Sequence, residues 1–253
     1  MKSQAHLVQG RLIHTWRHGQ GPPLVFFQGF GLWPTLYKDL FVRLGQRFEI
    51  IAPDMLRVGA YDRQPDSVHD HAEIAQTLLH QMGLSSAAVA GHSMGGALSF
   101  YLGAHSDIPH TLVALNPALP VQFGRLGFVA RSLYKGARQT IGRTGGLRGV
   151  VFANRLHTPL VLGMARAPRT SARFLKAAQT LSYNDLNVSQ PTTLLFAQRD
   201  EYFHLKPTLQ NHLHQHFHNL RIKPLPDLTH DWPVLNPNCA ARALTAELPS
   251  GAR

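Results

Sequence analysis

Only one cysteine, Cys239, stands in the 253 residues, so no internal disulfide can form. That fits a reducing compartment. No run approaches the ~18 consecutive apolar residues of a membrane-spanning helix. The opening MKSQAHLVQGRLIHTW carries a lysine but no unbroken apolar stretch, so it lacks the layout of a secretory signal, and a cytoplasmic location is expected. Charge is also scarce, at 15% of residues against 44% hydrophobic, which excludes a disordered or fibrous chain. Neither an internal repeat nor a low-complexity tract is found. What remains is a globular chain long enough for one core with a modest insertion, and too short for a second independent domain of ordinary size.

Acidic residues are the scarcest charge, 14 against 25 Lys and Arg, and the deficit is local. Between Ala118 and Ser189 stand eleven basic residues (Arg125, Arg131, Lys135, Arg138, Arg143, Arg148, Arg155, Arg166, Arg169, Arg173, Lys176) and one acid, Asp185. That leaves 14 basic and 13 acidic residues elsewhere, close to neutral. The formal charge of +11 therefore belongs almost wholly to one middle segment.

Short apolar runs bounded by Gly, Pro, Asn or Asp predict buried strands at Leu24 to Phe27, Phe48 to Ala52, Ala87 to Ala90, Thr111 to Leu115, Thr193 to Ala197 and Leu220 to Leu225. Between them lie helical patterns. His71 to Met82 places Ile74, Leu78 and Met82 at helical spacing before Gly83, and Pro207 to Phe217 opens on a proline. Such alternation argues for an α/β fold with a mostly parallel twisted sheet and helices on both faces. From Arg125 to Tyr183 the rhythm breaks. Three helices, Arg125 to Ile141, Leu147 to Ala165 and Thr170 to Tyr183, are expected there as an insertion between two strands.

Chemistry concentrates at Ala88-Val-Ala-Gly91-His92-Ser93-Met94-Gly95-Gly96, where a buried strand runs into Gly-x-Ser-x-Gly and then a helix. This is the setting of a nucleophile elbow. So sharp a turn presses backbone against backbone, which glycine alone tolerates, and pushes the serine out at the strand's carboxyl end. A serine hydroxyl needs a base, and the base an orienting acid. Of sixteen histidines, His230 follows the last predicted strand and precedes a final helix, as the order serine, acid, histidine demands. Asp200 ends the strand Thr193 to Ala197 and fits as the acid. Asp54 also ends a strand but precedes the serine, and reads as a structural loop residue. His212, His214, His216 and His218 offer an i,i+4 pair that could share a metal, but no Cys or acid stands nearby to complete a set. Neither a metal nor another cofactor is expected.

With these residues in place the chain resembles an α/β-hydrolase-fold enzyme of the capped serine esterase, lipase and C–C hydrolase type, from Leu24 to the final helix after His230. The resemblance implies that residues 1–117 and 190–253 form the hydrolase core and 118–189 a helical cap. It also places the first oxyanion donor after a His-Gly strand end, where this chain has Gln28-Gly29-Phe30-Gly31. By that match the backbone N–H groups of Phe30 and Met94 hold the oxyanion, and Gln28 replaces the leading histidine. The function so implied is hydrolysis of a carboxylic ester or thioester through an acyl-enzyme on Ser93, with a small acyl ester or thioester as substrate. A basic cap would attract an anionic carrier or membrane surface, and no nucleic acid is expected. Two rivals stay open: C–C bond hydrolysis on the same fold, and a non-catalytic hydrolase-like binding protein. An intact serine, acid and histidine argues against the second. Dehalogenation is disfavoured because it uses an aspartate where Ser93 stands.

Overall fold

The computed structural model describes residues 1–56, 65–120, 168–179 and 181–249. The first two expected insertion helices, Arg125 to Ile141 and Leu147 to Ala165, lie outside the described residues. All six strands expected from apolar runs are present, though Leu220–Leu225, at the sheet edge, has no buried residue, and two more precede them. They are β1 (Lys2–Val8), β2 (Arg11–His18), β3 (Pro23–Phe27), β4 (Glu49–Pro53), β5 (Ala87–His92), β6 (Pro109–Leu115), β7 (Thr192–Ala197) and β8 (Leu220–Leu225). They form one sheet in the order β1-β2-β4-β3-β5-β6-β7-β8. The β1–β2 hairpin joins the sheet antiparallel at one edge. Every pairing from β4 to β8 is parallel.

The central strands are buried on both faces, which is why they read as continuous apolar runs. Along β3, Val25 and Phe27 enter one core with Ala72, Leu78, Ala97 and Phe100, while Leu24 and Phe26 enter the other with Leu40, Phe41 and Leu244. The first face is covered by α2 (Val68–Gln81) and α3 (Met94–His105). Against the second lie α1 (Lys38–Leu44), α6 (Trp232–Leu235) and α7 (Pro237–Glu247), the last two following His230. Between them in sequence come α4 (Pro168–Gln179) and α5 (Pro207–His216). At about 1.5–3 kcal/mol for each large apolar side chain removed from water, this double layer dominates the stabilisation.

Helix α2 begins three residues before the expected His71 because Ser67 caps it. The Ser67 side chain accepts from the Asp70 N–H, and the Asp70 carboxylate accepts from the Ser67 N–H. This reciprocal pair satisfies two otherwise orphaned donors. Helix α4 is the third expected insertion helix, beginning two residues earlier than expected and ending at Gln179. It stops short of Tyr183 because that side chain turns into the core, edge-on to Phe100 and Phe217, and its hydroxyl donates to the carbonyl of Ala118. Residues 118 and 183, at either end of the stretch between β6 and β7, are thereby joined at the sheet.

No helix among the described residues is long and apolar enough to cross a membrane.

Candidate active site

Strand order reverses direction between β3 and β5: the chain goes outward from β3 to β4, then returns past β3 to build β5 through β8. In open α/β sheets the crevice at the carboxyl ends of two such strands is where ligands bind. Ser93 sits there, immediately after β5, with φ 55° and ψ −119°. A non-glycine residue so placed is strained by about 1–3 kcal/mol and persists only where its surroundings hold it. Here the Ser93 N–H donates to Leu115 O at 3.0 Å, and the Ser93 carbonyl accepts from Gly96, Ala97 and Ala118. A Cβ on Gly91 would stand 2.1 Å from the Gly95 carbonyl oxygen, and one on Gly95 2.2 Å from that of Phe27. Both positions are closed to any other residue.

The three residues singled out as serine, base and acid come together. Ser93 Oγ lies 2.9 Å from His230 Nε2, and His230 Nδ1 lies 2.7 Å from Asp200 Oδ2. A carboxylate can only accept, so it holds the proton on Nδ1 and turns the bare Nε2 toward the serine hydroxyl. Asp54 does not take that place: it accepts from the Gln28 side-chain amide at 3.2 Å. Gln28 is fully buried, so the residue replacing the family's histidine ties the end of β3 to the end of β4.

Asp200 is saturated with donors. Oδ1 accepts from the N–H groups of Tyr202 at 2.7 Å and Phe203 at 2.9 Å, and Oδ2 accepts from Asn116 Nδ2 at 2.5 Å besides His230. Burial alone would raise its pKa, but the charge and hydrogen bond of His230, with those other donors, bring it below the ordinary value. For His230 burial opposes protonation, yet Asp200, then Asp231 and Glu201, outweigh it and raise the imidazole above 6.5. Glu201 also accepts from the His230 N–H at 3.2 Å, and Tyr202 stands edge-on to the ring at 4.8 Å between centroids.

Sequence reasoning missed Asn116, which follows β6 with φ 44°. Its Oδ1 accepts from Ala197 N–H at 3.0 Å and Trp232 Nε1 at 2.8 Å, while its Nδ2 reaches Asp200. One amide thus braces the end of β7 and the segment after His230. An Asn-Pro pair at the end of an apolar strand was the available signal, because asparagine tolerates positive φ. Of the two expected oxyanion donors, Met94 opens α3 directly after Ser93. Phe30 lies on the loop after β3, whose Gly29 is so close to the elbow that a Cβ there would stand 3.4 Å from Ser93 Cβ.

His92, His230 and Asp231 each bring one possible metal-ligand atom within 4.8 Å of the others. All four ring nitrogens of the two histidines already have hydrogen-bond partners, so a cation would have to displace one. On α5 the His212 and His216 rings lie 4.6 Å apart, but His216 Nδ1 is bonded to the Leu186 carbonyl, and His218 Nε2 to Asn187. His216 and His218 thus tie the end of α5 and the turn after it to the segment entering β7.

The model of the alpha/beta hydrolase fold family matches residues 22–181, more than half of the chain, and the protein belongs to that family. In sequence it is 32% identical over 90 residues to haloalkane dehalogenase 2 of Mycobacterium tuberculosis (strain ATCC 25618 / H37Rv), covering 34% of this chain and 32% of that one. The match thus spans about a third of that relative's length. Among solved structures it resembles a thermophilic esterase from Thermogutta terrifontis, with TM-score 0.73 and 18% identity over 97% of each chain. It is equally close to the epoxide hydrolase CorEH, with TM-score 0.72 and 16% identity over 97% of this chain and 98% of that one. The three names differ in what they act on: a haloalkane, an ester and an epoxide.

Proposed function

We propose that the protein is a serine hydrolase that cleaves carboxylic esters or thioesters through an acyl-enzyme on Ser93. The observation that carries the reading is the serine itself, held 2.9 Å from His230 Nε2. A haloalkane or an epoxide attacked by a serine hydroxyl would leave an ether on the enzyme, with no carbonyl for water to attack. An acyl group leaves an ester, which the same machinery can hydrolyse. Ser93 Oγ attacks the substrate carbonyl while His230 takes its proton and Asp200 stabilises the resulting imidazolium. The oxyanion is met by the backbone N–H groups of Phe30 and Met94. His230 then gives its proton to the leaving alcohol or thiol, takes one from water, and water releases the acid.

The eleven basic residues between Ala118 and Ser189 favour a substrate with anionic character, such as an acyl-coenzyme A or an acyl chain on an anionic surface. Of those described, Arg169 and Lys176 are exposed and Arg173 makes only a long 3.8 Å ion pair with Asp66. The test is a panel of p-nitrophenyl esters and acyl thioesters of graded chain length, with a fluorophosphonate label. Turnover together with labelling on the peptide containing Gly91 to Gly96 is expected. Turnover that survives complete labelling would overturn the reading.

A further inference from the structure

His92, the residue before Ser93, is fully buried and plays no part in the proton path from serine to aspartate. Its ring nevertheless touches two backbone segments of the site. Nε2 lies 3.0 Å from the carbonyl oxygen of His230, and Nδ1 2.7 Å from the hydroxyl of Tyr37, which accepts from the N–H of Gly29 at 3.1 Å. Burial, reinforced by the nearby His230, pushes the His92 pKa down to about 3, so the ring is neutral at any ordinary working pH. A neutral ring has one N–H, and a carbonyl can only accept, so that proton is on Nε2. Nδ1 must then accept from the Tyr37 hydroxyl. Every bond in the chain has one direction: Gly29 N–H to Tyr37, Tyr37 O–H to His92, His92 N–H to the His230 carbonyl.

The three anchored points have different jobs in the proposed reaction. Gly29 precedes Phe30 on the loop after β3, His92 precedes the nucleophile, and the His230 carbonyl is the backbone of the base. Tyr37 is 1% exposed and packed against Phe26 at 5.0 Å and Phe41 at 6.0 Å between ring centroids, so its hydroxyl has a fixed position. We propose that His92 and Tyr37 are positioning residues that hold the oxyanion loop and the base in register with Ser93. The inference rests on the serine-hydrolase reading above. Acyl transfer needs reacting atoms placed to within a fraction of an ångström, and a displacement of about 1 Å costs on the order of 100-fold.

The two arms can be cut separately. Tyr37→Phe keeps the packed ring and removes only the hydroxyl, releasing Gly29. His92→Gln keeps an amide N–H near the Nε2 position for the His230 carbonyl but loses the acceptor for Tyr37. His92→Asn keeps a group near Nδ1 and loses the bond to His230. Each variant is titrated with fluorophosphonate, and kcat is expressed per reactive serine, so a misfolded fraction does not enter the rate. Each single change is expected to lower kcat on the order of 10- to 100-fold with KM within about twofold. Tyr37→Phe combined with His92→Gln should be no worse than Tyr37→Phe alone, because the loss of the hydroxyl already breaks the link that the glutamine breaks. Unchanged kcat per titrated site in Tyr37→Phe and His92→Asn, or multiplicative losses in the double variant, would overturn the proposal. Failure of the wild-type protein to be labelled and inactivated would instead overturn the serine reading beneath it, so the two failures are told apart.

Discussion

The ends of β4 and β7 each carry a buried aspartate at the same edge of the sheet, yet their surroundings differ. Asp54 faces the side-chain amide of Gln28 on the neighbouring strand end. Asp200 receives two backbone N–H groups, the Asn116 amide and the His230 imidazole. A carboxylate at a strand end is therefore not a site by itself. What makes Asp200 part of one is that the chain returns after β8 to place a histidine on its remaining lone pair.

The comparison is broken most completely from outside it. Ser93→Ala should fold, since alanine is no worse than serine at that backbone conformation, and should lower kcat on the order of 10⁴-fold or more. Circular dichroism alongside initial rates checks both halves. Next, Asp200→Asn should cost on the order of 10³- to 10⁴-fold in kcat through loss of the anion that orients and stabilises the imidazolium. Asp54→Asn should stay within a few-fold, and the reverse ranking in folded variants would exchange the two assignments.

A subtler distinction comes from Asn116. Asn116→Ala leaves Trp232 Nε1 and Ala197 N–H without their acceptor and Asp200 with one donor fewer, so stability should fall by about 1–3 kcal/mol. With Asp200 less well held, kcat should fall roughly tenfold, the equivalent of about 1.4 kcal/mol. Thermal denaturation and steady-state rates measure the two separately.

Because His230 must be neutral to act as the proposed base and its pKa is raised above 6.5, kcat/KM should fall as pH drops through a value above 6.5. Stability linked to that histidine runs the other way. It is fully present below the unfolded pKa and is lost as pH rises through the higher folded value. Asp200, with its pKa lowered, contributes stability above its unfolded value of about 3.8 that disappears as pH falls through the folded one. A pH–rate profile and a pH series of melting temperatures should therefore diverge on the alkaline side.

The smallest effect concerns the basic segment. Raising salt from low levels to about 0.15 M, where screening acts over about 8 Å, should lower kcat/KM for acyl-coenzyme A substrates several-fold and leave neutral short esters nearly unchanged. Arg138→Glu with Arg148→Glu should raise KM for the anionic substrates alone. Equal, flat responses would reduce the basic charge between Ala118 and Ser189 to a solvated face.

Legibility followed the kind of residue. Strands β3 to β7 could be read as apolar runs because helices cover both faces of the sheet there, whereas β8, at the sheet edge, has no buried residue and shows only partial alternation. The hairpin β1–β2 could not, since six of the seven residues of β1 remain at least partly exposed and leave no apolar signature. Ser93 was legible because its elbow needs glycines two residues before and after it, a constraint written locally. Asp200 and His230 were legible through their order along the chain after the serine together with their places just beyond predicted strands.

Chain order and local pattern by themselves determined the α/β alternation, the glycine-flanked turn at Ser93, the candidates proposed as base and acid, and the uneven charge. Tertiary structure alone decided that Gln28 serves Asp54, that Asn116 braces Asp200, and that Tyr37 and His92 bridge Gly29 to His230. Those polar side chains are buried, and a buried polar group must find a partner. The partners lie 26, 84, 55 and 138 residues away in sequence, for Gln28 with Asp54, Asn116 with Asp200, Tyr37 with His92 and His92 with His230. No periodicity or motif spans such separations; the packing of the strand ends brings them together.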